Sequence, residues 1–240
     1  MSGAYVSTLA VTIAAVVGLC VNARRRPGPW VIVADRVLAL VLLAISVEWV
    51  WTTGTADGWS PAGSLPLALC DVATLVASAA LWWRVPLLVE LTWFWGLAGS
   101  LQSLITPDVH VGFPSAQFIE YVVAHAGIVV AALFLVVGQR LAPRRWAAPR
   151  VIAITAVYTA LVGAVDALTG GDYMYLSSRP SSWTLLNVLG PWPWYVISAA
   201  GVAVVLVTLL DAPFWRRRRG VRSSLERSRS AQGSTAGAPL

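Results

Sequence analysis

Lysine is absent, and all seventeen basic residues are arginine. With no lysine amine there is no protein Schiff base, which excludes a retinal-binding seven-helix receptor and a pyridoxal-phosphate enzyme. Charge of either sign is scarce, 12% of residues against roughly a quarter in soluble domains. The only cysteines, Cys20 and Cys70, both lie in apolar stretches, so no disulfide framework is implied. The only histidines, His110 and His125, come without clustered ligand spacing, which argues against zinc. No other metal or cofactor motif is present. There is no internal repeat either, which weakens an inverted-repeat transporter.

What is there is hydrophobic. Apolar residues make up 58% of the 240, the mean hydropathy is +0.72, and runs of about 18 or more apolar residues read as membrane spans. Seven spans are expected, at 4–22, 30–53, 65–83, 85–105, 117–138, 150–168 and 192–212. The first lacks the basic leader of a signal peptide, since Arg24–Arg26 follow it, and reads as an uncleaved helix with its N-terminus outside. Arginine placement agrees. With that orientation fifteen of the seventeen fall inside, Arg179 alone falls outside and Arg36 is embedded. Trp30, Trp49, Trp51, Trp82, Trp83, Trp192, Trp194 and Trp215 lie near span ends, as interfacial rings do. The expected fold is all-α: a seven-helix membrane domain over 1–215 and a disordered, Arg/Ser-rich cytoplasmic tail over 216–240.

Charged groups in a bilayer cost at least ~2.5–3.5 kcal/mol each, so every one is a functional suspect. Spans 2, 4 and 6 carry Glu48, Gln102 and Asp166 in their last outward turns. Spans 3 and 5 carry Cys70, Asp71, Glu120 and His125 in their first inward ones. Cys70 is placed roughly 8 Å and His125 roughly 12 Å below their helix starts. Five spans thus offer polar groups to one outer layer. Asp35, Arg36 and Glu90 form a thinner inner group, expected as an anchor, with Glu90 paired to Arg36 or Arg84.

A membrane cysteine is usually an apolar filler, and a membrane histidine usually packs. The two at similar depth also make a minimal nucleophile and base. Asp71, about 100° round the helix from Cys70, suits a cap. Tyr121, four residues before His125, is better placed to orient it than Glu120. Two outer loops add detail. "TPDVHVGFP" (106–114) is short; "GGDYMYLSSRPSSWTLLNVLGPWPWY" (170–195) is long and reads as an ordered lid, with Tyr173, Tyr175 and Asn187 in it. Arg179 suits either an anionic head group or a pairing with Asp172.

These stretches, with "LPLALCD" and "EYVVAHAGI", resemble the YwaF-like family of integral membrane proteins over residues 65–195. That family is related to a human transmembrane acyltransferase of ether phospholipids and, more distantly, to membrane hydrolases of fatty-acid esters. The resemblance implies Cys70 and His125 as a catalytic pair. Asp172, Arg179 and Ser115 stand where the family pattern has Asn, Lys and often His.

The function expected is a lipid acyltransferase or lipid ester hydrolase working in the outer half of the bilayer. Cys70 and His125 are its chemistry; Glu48, Asp71, Gln102, Tyr121, Asp166, Tyr173, Tyr175, Arg179 and Asn187 are the surrounding binding residues. Membrane lipids are its partners, with no nucleic acid. The alternatives are a small-solute or ion-coupled transporter and a non-catalytic ligand-binding membrane protein. The arginine-only basic set associates the chain with a GC-rich bacterium and its plasma membrane.

Overall fold

In the computed structural model, residues 3–235 are described except 57, 110, 181 and 182, and beyond 215 the description is of the backbone. His110 and the last five residues of the tail therefore lie outside the described residues. Among those described there is no strand. The helices are α1 (Gly3–Arg25), α2 (Trp30–Thr55) and α3 (Leu69–Trp83), followed by α4, a rod running Pro86–Trp95, through a π turn at Gly96–Ser100, to Leu101–Ile105. Then come α5 (Ala116–Gly138), α6 (Ala147–Thr169) and α7 (Trp194–Thr235), with a single 3-10 turn, Leu185–Val188, between the last two. Five of them, α1, α2, α5, α6 and the Trp194–Trp215 part of α7, are long and apolar enough to cross a membrane. The backbone of α7 stays helical as far as Thr235 through the Arg/Ser-rich stretch whose composition points to disorder; a helix already nucleated propagates readily through such residues.

α3 is shorter than its expected span, at fifteen residues. Pro66 explains the difference, because the residue before a proline is pushed out of the helical region. Residues 65–68 therefore run unwound before the helix starts at Leu69. α3 nevertheless sits at the centre of the packing, against α2, α4 and α5. Ala73, Ala77 and Ala80 are all buried on it, and small residues let neighbouring backbones come close. Gly127 does the same for α5: a Cβ there would stand 2.6 Å from Leu42 Cδ2 of α2.

One end of the bundle is rich in arginine and holds two buried carboxylates. Asp35 and Glu90 are each 1% exposed. Their partners differ from those expected. Asp35 accepts from Arg84 at 2.5 Å and from Gln139 Nε2 at 2.7 Å. Glu90 accepts from Arg144 and Arg150, at 2.8 and 2.6 Å. Arg36 pairs with neither; it donates to the Trp82 carbonyl and stacks on that ring at 4.1 Å. The helix turn decides this, since Asp35 and Arg36 are adjacent and so point about 100° apart. Arg84 reaches Asp35 from a left-handed backbone position, φ 52°, that closes α3.

Truncating one partner of a buried ion pair strands the other charge. Arg84→Ala is expected to cost about 3 kcal/mol, and the double replacement of Arg84 by Met and Asp35 by Leu to cost clearly less. Thermal unfolding of the purified protein in detergent measures both.

Candidate functional site

The opposite end carries the long loops, and its polar side chains form two linked groups. The first concerns residues 65–68. Without helical bonds, their backbone groups need other partners. Tyr173 Oη donates to the Pro61 carbonyl at 2.6 Å and accepts from Leu65 N at 3.0 Å. Tyr158 Oη donates to the Leu67 carbonyl at 2.7 Å. Asp71 Oδ2 accepts from Ala68 N at 3.2 Å, as a cap for α3. Three elements thus hold the unwound stretch, and with it the position of Cys70.

The second group surrounds the thiol. Cys70 is half-buried, and its carbonyl accepts from Thr74 Oγ1 at 2.7 Å. The Ser103 and Ser100 hydroxyls of α4 act on the thiol electrostatically. Tyr121 and Tyr175 lie within electrostatic reach of it. Tyr121 Oη donates to the Ser103 carbonyl at 2.9 Å and accepts from Asp108 N at 3.3 Å. Tyr175 donates to Asp108 Oδ2 at 2.7 Å from a left-handed backbone position, φ 54°. Burial, and the Asp108 carboxylate it bonds, push the Tyr175 phenol well above the ordinary tyrosine range. It therefore stays a neutral donor throughout the physiological pH range.

His125 is 8% exposed. Its Nδ1 lies 2.7 Å from the Tyr121 carbonyl. A carbonyl can only accept, so this nitrogen carries the proton, and Nε2 of the neutral ring keeps its lone pair. The Tyr121 ring covers the imidazole at 4.2 Å between centroids. Tyr121 thus stacks on His125 and lies within electrostatic reach of Cys70. The carboxylates acting on the ring are Asp71 and Glu120, and Glu48 acts on Glu120 in turn. Among the described residues no three His, Cys, Asp or Glu side chains gather into a metal-binding group.

Asp71 and Glu120 also line a cleft of about 490 Å³ between α2, α3 and α5. Trp49, Trp51 and Leu75 make its apolar walls, and Thr74 adds a hydroxyl. So Asp71 does two things that its position beside Cys70 left open: it caps α3, and it turns to this cleft.

The remaining candidates are dispersed. Glu48 Oε2 is buried without a hydrogen-bond partner. Asp166, 5% exposed, accepts from Tyr173 N through Oδ1 at 3.2 Å, while its Oδ2 has no partner. The Gln102 backbone carbonyl accepts from Thr106 N and Oγ1. Asn187 Oδ1 accepts from Thr184 N at 2.8 Å and fixes the 3-10 turn. Arg179 is exposed. The Asp172 carboxylate accepts from Ser177 N and from Ser178 N and Oγ, folding the loop on itself. Sequence reasoning missed Ser100, Ser103 and Tyr158. The two serines carried a signal, since three residues apart on a helix they share a face.

Tyr173→Phe removes the acceptor for Leu65 N–H without changing shape. Losing that bond, worth about 1 kcal/mol, is expected to speed amide exchange at Leu65 about fivefold and to leave residues 120–130 unchanged. Hydrogen–deuterium exchange with peptide mass spectrometry checks it.

No curated protein and no solved structure matches the chain. A family model does, over residues 2–211, which is nearly the whole of the helical bundle. The chain is thereby a membrane protein that belongs to the TMEM164 family.

Proposed function

We propose that this chain is a membrane-embedded lipid acyltransferase or lipid ester hydrolase acting through Cys70 and His125. The observation that carries the reading is the fixed histidine: Nδ1 bonded to the Tyr121 carbonyl leaves Nε2 as the basic nitrogen, in a buried ring. The resemblance of "LPLALCD" and "EYVVAHAGI" to acyl-transfer relatives supports the same pair.

In this reading seven helices span the bilayer, with α3 and α4 completing the five long ones and the N-terminus outside. The arginine asymmetry supports that orientation, and an arginine-only basic set favours a bacterial plasma membrane. The loop-rich end is then the outer face. A lipid ester comes sideways out of the bilayer, and the cleft between α2, α3 and α5 offers apolar walls for it. Nε2 of His125 takes the thiol proton as Sγ attacks the ester carbonyl carbon. The tetrahedral intermediate collapses, the carbon–oxygen bond breaks, and the departing alkoxide takes the proton back from Nε2. The acyl group is left as a thioester on Cys70. A lysolipid hydroxyl then gives its proton to Nε2 and attacks the thioester carbonyl; the carbon–sulfur bond breaks and the leaving thiolate takes that proton back, giving transfer, while water in the same role gives hydrolysis. Tyr121 serves as the orienting residue, and Tyr175 and Tyr173 tie the loop 170–193 over the site.

A transport path between the two faces is disfavoured by the other end of the bundle. Asp35 and Glu90 are saturated there by Arg84, Gln139, Arg144 and Arg150.

In vesicles containing phospholipid and lysolipid, the protein is expected to exchange acyl chains, followed by mass spectrometry. Cys70→Ala and His125→Ala should each lower the rate by at least about 100-fold, and Cys20→Ala should leave it intact. Exchange or hydrolysis unaffected by both losses would sink the proposal.

A further inference from the structure

Many hydroxyls inside these helices follow one habit. Thr8, Thr12, Ser46, Thr74, Thr92 and Thr155 each donate to the carbonyl four residues back. This hides a hydroxyl where there is no water. Ser78 departs only by crossing to the Ala39 carbonyl of α2, at 2.8 Å. Ser100 departs entirely. It is 1% exposed, and its Oγ has no hydrogen-bond partner.

The π turn explains the departure. Four residues before Ser100 stands Gly96, whose carbonyl instead receives Leu101 N–H, five residues on. That wider turn displaces the carbonyl a serine would use. Gly96 also lets the turn lie close to α5, since a Cβ there would stand 3.2 Å from Ala132 Cβ. On the other side α3 is near, a Cβ on Gly99 falling 4.0 Å from Leu69 Cδ2. Ser100 and Cys70 follow directly on Gly99 and Leu69, and the Ser100 and Ser103 hydroxyls both act on the Cys70 thiol. No hydrogen bond joins the Ser100 hydroxyl to the neutral thiol, which is in any case a weak acceptor. A thiolate is a strong one.

We propose that Ser100 is the positioning residue for the Cys70 thiolate, its hydroxyl withheld from the helix backbone by the π turn so that it can donate to the anionic sulfur. When Sγ loses its proton to His125 Nε2, the Ser100 O–H turns onto the sulfur and keeps its own proton. The purpose of this contact rests on the acyl-transfer reading. The contact itself is measurable without any lipid turnover.

The test uses the full chain carrying Cys20→Ala, which leaves Cys70 as its one thiol, and follows alkylation by N-ethylmaleimide near neutral pH with intact-mass spectrometry. Ser100→Ala is expected to slow alkylation about tenfold, the loss of one charge-assisted hydrogen bond, while Ser100→Thr, which keeps the hydroxyl, stays within about threefold of the parent. Equal rates in the parent and Ser100→Ala would overturn the proposal. So would Ser100→Thr slowed as much as Ser100→Ala, because packing alone would then account for the effect. Slow alkylation of Ser100→Ala alongside a parent protein with no acyl exchange would overturn the acyl-transfer reading and leave the thiolate contact standing.

Discussion

Hydrocarbon gives a polar group nothing to bond with, and the whole bundle is arranged around that constraint. Asp35 and Glu90 are tolerated because arginines and Gln139 come to them. Threonines fold back on their own helices. The unwound backbone before α3 is held by two tyrosines and an aspartate. Against this background the unmet atoms are informative. Apart from Trp93 Nε1, those identified are Glu48 Oε2, Ser100 Oγ and Asp166 Oδ2, and all three belong to the half of the bundle that holds Cys70 and His125. A protein that satisfies its polar groups so thoroughly at one end has kept a reserve of unsatisfied ones at the other.

Much of this was legible in the sequence, because apolar run length and arginine placement are strong signals. The five long helices fall close to where hydropathy puts them. Depth counting puts Glu48, Gln102, Cys70, Asp71, Glu120, His125 and Asp166 at one level, and of these Glu48, Asp71, Glu120 and His125 act on one another electrostatically. Tyr121 as the residue that orients His125 follows from helical spacing, although the bond comes from its carbonyl and the ring supplies a stacking face. The ion pairs at the arginine-rich end were not legible. Asp35 and Arg36 are neighbours in sequence, yet adjacency on a helix separates them, and the actual partners, Arg84 and Gln139, arrive from other elements. Nor was the π turn: "GLAGS" is compatible with an uninterrupted α-helix, and the extra residue shows only when the backbone is seen.

The loops at the site end owe their order to phenols more than to charges. Tyr173 ties the stretch 170–193 to residues 61–65, and Tyr175 ties it to Asp108. Trp192 Nε1 donates to the Leu176 carbonyl and Tyr195 Oη to the Tyr175 carbonyl, closing the loop on itself. A cover built from aromatic side chains has an apolar body with one polar tip apiece. It can lie against lipid and hold a loop at once. The two charged groups in the same loop play smaller parts, Asp172 folding the backbone and Arg179 standing exposed.

The π turn in α4 has a consequence for the helix as a whole. A π turn is an α-helix with one residue inserted, and one residue is about 100° of rotation. The rod is therefore two helices set out of phase on a common axis. Its first part presents Glu90 to Arg144 and Arg150, while its last part presents Ser103 to Cys70. On a uniform helix of the same length the last part would point about 100° away from where it now does. The inserted residue lets the end of the rod near Cys70 be oriented separately from the end that holds Glu90, so that each is free to be correct for its own neighbours.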